Sequence, residues 1–586
     1  MMPRMYMQAG KREGGFALLV VMIFAGISLS ALVGALSWTS TSAQQTARNV
    51  QYFNTTAAAE AASEKVLASL LHDYQNGSSA AVEANLNSYR SMKPSISENP
   101  FWGNYLFSNG QGGSGSFVQK VKSESYVTLD SQYKGLKGWA TTYRIISNAK
   151  EANGENPITG AVGQDVQTVS IPIFQFAIFY GLDLELHSMT EMDIMGRVHC
   201  NRNIYTYPSK KTTFWEDVTA VGNFYKTRKP GDPAYSTKKP AGSIVYKKKK
   251  DAKVASLTLP IGTDNTPDAV REVLLIPPVG EAIQSGMGRE RFYNKAELVV
   301  LVENHQVSAF AKAPYSETAY AVPWTELKAL VTTNDSFTDQ REGKVIKVTE
   351  INVGMIESWS IGNNSVGQAI GFGKPVNLIY VADMRSTPSW QLPAVRLVNG
   401  RHLPDRGLTV ATPNPLYVKG HYNQPTTSHL GTKNTSNTKP AALASDALTV
   451  LSPSWSDAES SHSYTHRNAS DMTLNAALLT GIVETSTASS IYSGGAHNLA
   501  RFLEDWSGET FTYNGSMVVL FDSVRATQPF EQPGSYYEPP QRDFSFDQNF
   551  TDPAKLPPGT PELRGIIRDR WAQIQPGKTS FPDGLQ

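Results

Sequence analysis

The sequence predicts a mainly β protein led by one long α-helix, and three observations carry that prediction. Residues 14–47 contain no charged side chain, and residues 43–74 contain neither glycine nor proline, so one helix is expected to run from an apolar into a polar segment. From Phe117 onward the apolar residues fall in short runs with period-two character, broken by Gly, Asn and Pro, as at 166–173, 378–381, 395–397 and 517–521. A weak repeat is superimposed: Val198 and Val218, Asn203 and Asn223, and Ile204, Phe224 and Ile244 are spaced by twenty, as are Tyr205, Tyr225 and Val245, and Gly222 and Gly242. Such a period suggests rungs of a right-handed β-solenoid; a sandwich or irregular sheets stay open as alternatives.

The N-terminal segment is the strongest signal. Residues 16–38 form a stretch of 23 mostly apolar residues, and as a helix it would span about 35 Å, enough to cross a bilayer with some tilt. Arg4, Lys11 and Arg12 precede it against Glu13 alone, which places the N-terminus in the cytoplasm and the bulk outside. A cleaved signal peptide has a shorter apolar region, roughly 7–15 residues, and ends at a small-residue cleavage site; residues 40–43 offer one. The continuation argues against it, because Ala57-Ala58-Ala59-Glu60-Ala61-Ala62 favours helix and Val66, Leu67, Leu70, Leu71 and Tyr74 recur at helical spacing.

Composition excludes several classes. Lys plus Arg is 53 against 52 for Asp plus Glu, which gives no electrostatic reason to expect nucleic acid. The run Lys247-Lys248-Lys249-Lys250 reads as a solvated turn. The single cysteine, Cys200, cannot form an internal disulfide or a thiolate metal site by itself. His199 is adjacent, but strand neighbours face opposite ways, so a buried inert thiol is expected.

Lys11-Arg12-Glu13-Gly14-Gly15 followed by Phe16-Ala17-Leu18-Leu19-Val20 resembles a type IV prepilin leader and the start of a mature pilin. Ala58-Ala59-Glu60-Ala61 resembles the helix of PilX-type minor pilins. The resemblance implies cleavage by prepilin peptidase after Gly15, N-methylation of Phe16, an inner-membrane location and packing against other pilin-like subunits. It departs from the family at the fifth mature position, where pilins usually carry glutamate and this chain has Val20; that departure resembles minor or tip-located pseudopilins rather than a bulk subunit. Further stretches resemble large PilX-like proteins: Gly196-Arg197-Val198-His199-Cys200-Asn201, Arg291-Phe292-Tyr293-Asn294-Lys295-Ala296, Arg341-Glu342-Gly343, Tyr492-Ser493-Gly494-Gly495 and Arg501-Phe502-Leu503-Glu504-Asp505-Trp506.

The organisation expected is a leader at 1–15, a transmembrane and amphipathic helix at 16–75, and a linker at 76–116 ending in the glycine-rich stretch 110–115. A β-rich domain at 117–370 with the possible twenty-residue rungs, a second at 371–527 that could continue the solenoid, and a Pro- and Tyr-rich C-terminal wrap of irregular chain at 528–586 complete it. Leu408-Thr409-Val410 recurring as Leu448-Thr449-Val450 suggests further rungs, with Pro413 and Pro415 at a corner between them.

No constellation makes a case for an enzyme. Glu504-Asp505-Trp506 combines acids with an aromatic that could stack on a sugar, but glycosidases need two carboxylates facing across a bond, so Asp383 or Asp543 would have to complete it. His462 and His466 sit four apart in a Ser-rich stretch unlike a metalloprotease helix. Asp183-Leu184-Glu185 and Asp193 offer oxygens without an Asp-x-Asp-x-Asp-Gly run, and Tyr492-Ser493-Gly494-Gly495 lacks the Lys of a phosphate loop. No cofactor and no metal are expected. The function expected is a PilX-like structural minor pilin of a type IV pilus or type II secretion-like filament. The alternative is a membrane-tethered β-helical protein that binds or cleaves surface polysaccharide.

Overall fold

The fold is dominated by strands, with one long helix, α1 (Gly14–Asn76), leading the chain and several short helices of four to seven residues elsewhere. It is taken from a computed structural model that describes residues 14–76, 79–154, 156–236, 238–488 and 491–581; the expected leader lies outside these residues except for Gly14 and Gly15, which open α1. At 63 residues the helix is about 95 Å long. It is long and apolar enough to cross a membrane, and none of its most apolar stretch is buried. From Gln51 the pattern changes: Gln51, Thr55, Ala59, Ala62, Val66, Leu70 and Tyr74 are buried at steps of three or four, the stripe of a helix lying on a surface.

That surface is an antiparallel sheet. β1 (Tyr105–Ser108) and β2 (Ser116–Thr128) share one edge of β3 (Lys137–Glu151), and β4 (Thr159–Pro172) occupies its other edge. The outer partner of β4 is the C-terminal strand Glu562–Gln573. Two expectations are corrected here. The stretch 76–116 is no linker, because it contributes β1 to the sheet and its glycines turn the chain from β1 to β2. The segment 528–586 is irregular only in part: Tyr536 and Tyr537 are buried as wrapping aromatics would be, but the chain then forms Gln541–Ser545 and the strand that closes this sheet. Everything between β4 and Glu562 is thus inserted into one helix-and-sheet unit.

The insertion is built on a twelve-stranded sheet that is parallel throughout, except for the hairpin Val307–Lys312 and Ala319–Ala321 at one end. The chain enters this ladder in its middle, at β5 (Phe176–Tyr180), and steps through Arg197–Cys200 and Val218–Ala220 to the far end at Lys250–Ala252. Residues 253–297 then carry it to the opposite end. It re-enters at Leu298–Val302 and works back through Leu378–Asp383, Leu408–Ala411, Ala441–Ser445 and Ala477–Thr480 until Met517–Val519 pairs with β5. The ladder runs without a break across residues 370 and 371, so the expected division there is not a structural one. Smaller sheets accompany it: three three-stranded parallel ones and a six-stranded one in which two short strands run antiparallel.

The twenty-residue step holds where it was first read. Met192 lies opposite Thr212, Val198 opposite Val218, and Leu184, Ile204 and Phe224 stack in register. Asn203 takes its place because its backbone N–H donates to Asp183 Oδ1 at 2.9 Å, and Asn223 N–H donates likewise to Asn203 Oδ1 at 2.9 Å; each side chain satisfies the turn of the next step. The third matches are coincidences. The chain from Lys226 to Ser243 is a longer excursion, so Ile244 pairs with Thr212 and Val245 with Thr213, and Gly242 N–H bonds Pro208 O. Leu408-Thr409-Val410 and Leu448-Thr449-Val450 also belong to different sheets, opposite Ala441-Ala442-Leu443 and Leu416-Tyr417-Val418.

The lysine run finds its reason at the free edge. Residues 247–249 turn and Lys250 starts the last ladder strand. Lys247 sits 5.2 Å over the Trp215 ring, Lys248 pairs with Glu216 at 2.6 Å, and Lys250 lies 4.4 Å over Phe224. Charges on an edge strand block further strand addition.

Candidate functional site

The candidate site is α1 itself, divided into a bare half and a docked half. Phe16, at the position where the resemblance implies cleavage, is 78 % exposed, and Leu18, Phe24, Leu29 and Trp38 follow it outward. The docked half is fixed by both shape and polarity. At Gly160 of β4 a side chain would come within 2.4 Å of Thr56 N, so only glycine lets the helix approach this closely. Gln164 Nε2 donates to Ser63 Oγ at 2.5 Å, Gln51 Nε2 to Asn156 O at 3.0 Å, and Arg568 forks onto Glu64 at 2.8 and 2.7 Å. Val66, Leu67, Leu70 and Tyr74 pack with Val118, Tyr143, Ile145 and Val166. Burying each large aliphatic contributes about 1.5–3 kcal/mol. Arg564 lies 4.9 Å over the Tyr74 ring, and burial pushes the Tyr74 hydroxyl up to about 12. These sheet-side partners lie far from α1 in sequence, and only the helix's own periodicity signalled them.

The acid-and-aromatic candidate is interior. Trp506 is fully buried against Phe502 and Phe511, which leaves no face for a sugar. Glu504 accepts from Ser452 N–H at 2.7 Å and Ser452 Oγ at 2.6 Å, and burial raises its carboxyl to about 7. Asp383 is held by Arg385 at 2.5 Å and Thr349 at 2.8 Å, and Asp543 by Lys433 at 3.0 Å. Each acid therefore has its own partner. A cleft of about 560 Å³ lies elsewhere, lined in part by Glu297, Asp405, Arg406, Lys439 and Asp547. Its acids are also engaged: Asp405 with Lys439 at 2.9 Å, Asp547 with Thr435 at 2.8 Å, and Glu297 with Asn377 N–H at 2.5 Å.

The remaining candidates also resolve into structure. Cys200 is buried with its thiol pushed up to about 12 by desolvation, which makes it inert. His199 bridges Thr219 at 2.8 Å and Asn201 at 3.0 Å. His462 pairs with Glu459 at 2.7 Å, its ring 5.9 Å from that of His466, on exposed chain. Asp183 receives Asn203 and Lys229, the latter at 3.0 Å, and Asp193 receives Trp215 Nε1 at 3.0 Å, so the two share no site. Of the segments that carried the wider resemblance, Arg291 is a buried tie to Glu281 at 2.5 Å and Glu272 at 3.0 Å inside the return connection. Arg501 forms a buried pair with Glu342 at 2.7 Å.

No protein-family model matches the chain, and no curated protein matches it. Among solved structures the chain is similar to the competence-associated pilin ComZ from Thermus thermophilus, at a TM-score of 0.28 and 11 % identity over 90 % of this chain and 97 % of that one.

Proposed function

We propose that this chain is a PilX-like minor pilin or pseudopilin, a structural subunit of a type IV pilus or type II secretion-like filament. Prepilin peptidase cuts after Gly15 and Phe16 becomes the methylated N-terminus. The bare half of α1 holds the subunit in the inner membrane, N-terminus inward, and later packs against the helices of other pilin-like subunits. The inserted ladder, which we read as a right-handed β-solenoid, projects outward as a cap or adhesive surface. The observation that carries this reading is the division of α1: one continuous helix is apolar and uncovered over its first half and locked to a sheet over its second. A plain anchor has no need of a rigid continuation, whereas a filament subunit needs its bulk held at a fixed angle to the packing helix. The solenoid reading is supported by the exact twenty-residue stacking of Val198 on Val218 and Ile204 on Phe224. A structural rather than catalytic role is supported by the partners that already hold Glu504, Asp383 and Asp543.

Co-expression with prepilin peptidase tests it. Mass spectrometry is expected to find a product lacking fifteen residues and starting at methylated Phe16, and Gly15→Val is expected to block maturation. An uncut chain, or normal maturation of the variant, would refute the reading.

A further inference from the structure

Where the two ladder runs meet, two separate stretches of chain bring Glu185, His187 and Asp232 together, with one donor atom of each within 4.8 Å of the other two. Glu185 belongs to the strand Leu184–Leu186, His187 follows it, and Asp232 comes from the long excursion after Tyr225. All three are buried, at 2, 2 and 4 % exposure. The surroundings satisfy only part of their polarity. Glu185 Oε1 accepts from Thr485 Oγ1 at 2.6 Å and Ser493 Oγ at 2.9 Å, while Oε2 has no partner. His187 Nδ1 lies 3.0 Å from the Tyr492 hydroxyl and 3.8 Å from Asp232 Oδ2, while Nε2 has no partner. Asp232 accepts from Ala234 N–H at 2.7 Å and from Arg228 at 2.8 Å.

An orphaned buried oxygen or ring nitrogen is destabilising, because it has lost its water and gained no partner. Two of them in one cluster, each on a side chain whose other polar atom is firmly held, form the pattern of ligands oriented by an outer layer of hydrogen bonds. No hydrogen bond joins Glu185 Oε2 to His187 Nε2, so a proton on either atom would still need an acceptor. A cation held among the three side chains would supply the partner that the surroundings lack. We propose that Glu185, His187 and Asp232 bind a divalent first-row transition metal, zinc being the best fit, as a structural pin at the join of the ladder. Imidazole with two carboxylates suits zinc, which takes nitrogen and oxygen donors in a four-coordinate shell. Calcium prefers six to eight oxygens. With both carboxylates ionised they outweigh the nearby Arg228 by one negative charge, which favours the ion. Lys229 is occupied by Asp183 at 3.0 Å and Glu484 at 2.6 Å. His497, half-buried nearby with Nδ1 unpartnered, stands outside the group of three.

The full-length chain in detergent, stripped with chelator and reloaded with zinc alone, tests this. After gel filtration, elemental analysis is expected to find close to one zinc per chain. Glu185→Gln and His187→Asn are each expected to weaken retention at least tenfold, whereas His462→Asn, which alters only the exposed histidine pair, retains it. Cobalt is expected to give visible absorption in the wild type that both ligand variants lose. Should a ligand variant fold poorly, melting the wild type and Glu185→Gln with zinc and with chelator decides the matter: zinc raises the wild-type Tm only. Zinc loss in His462→Asn alone, a wild type that holds no more zinc than Glu185→Gln, or an equal Tm response in both, would overturn the proposal.

Discussion

The two halves of α1 have the same backbone and opposite surroundings. Phe16 to Trp38 presents apolar side chains to nothing in the chain, and Gln51 to Tyr74 presents a mixed stripe of Gln, Thr, Ala, Val and Leu to a sheet that meets each of them. The more hydrophobic half is the less buried one. Within a single molecule the hydrophobic effect would bury the greasier segment first, so its exposure points outward, to lipid or to other helices. The docked half shows why a less apolar stripe suffices once glycine at 160 admits close approach and Ser63, Gln51 and Glu64 find polar partners.

Substitutions that should act on one half alone sharpen this contrast. Val66→Asp places an unpaired carboxylate under the helix and is expected to cost at least 3–5 kcal/mol, read as a fall in the denaturant midpoint of the sheet unit. Leu29→Asp on the bare half is expected to leave that midpoint unchanged while membrane insertion loses about 2.5–3.5 kcal/mol, read by fractionation. Equal effects on folding from both would break the comparison. Gly160→Ala pushes a methyl against Thr56 N and is expected to cost about 1–3 kcal/mol in the same denaturation.

A smaller effect separates the ladder from the helix unit. Burial raises Glu504 from 4.5 to about 7, so the folded state holds its proton more tightly than the unfolded chain. Its contribution is fully present below pH 4.5 and is lost as pH rises through 7. Glu504→Gln is expected to flatten that part of the stability-versus-pH curve of the ladder and leave the α1 docking unaffected. Smallest of all, Arg568→Ala removes a largely exposed pair with Glu64 and is expected to cost about 0.2–1 kcal/mol, less at high salt.

The helix was legible because a chain free of charge, then free of Gly and Pro, admits few other structures. The ladder was legible only around Val198, Asn203 and Ile204, where turns have constant length. Beyond Tyr225 the steps lengthen irregularly, from Leu408 opposite Ala441 to Leu478 opposite Met517, and the period dissolves. The closing strand was hidden because its inward alternation, with Leu563, Gly565 and Ile567 buried, runs only to Ile567 and is then broken by a bulge between Arg568 and Arg570. The cluster around Glu185 and His187 draws on Asp232, Thr485, Tyr492 and Ser493, which no local spacing connects.

The division of α1 is tested most directly by placing a photo-crosslinking residue at Leu29 and, separately, at Leu70 of the full chain in native membranes. Leu29 is expected to give adducts with lipid or with other helical subunits, and Leu70 only internal links to β3 and β4. Internal links from Leu29 to the sheet or the ladder, or adducts to other chains from Leu70, would contradict it.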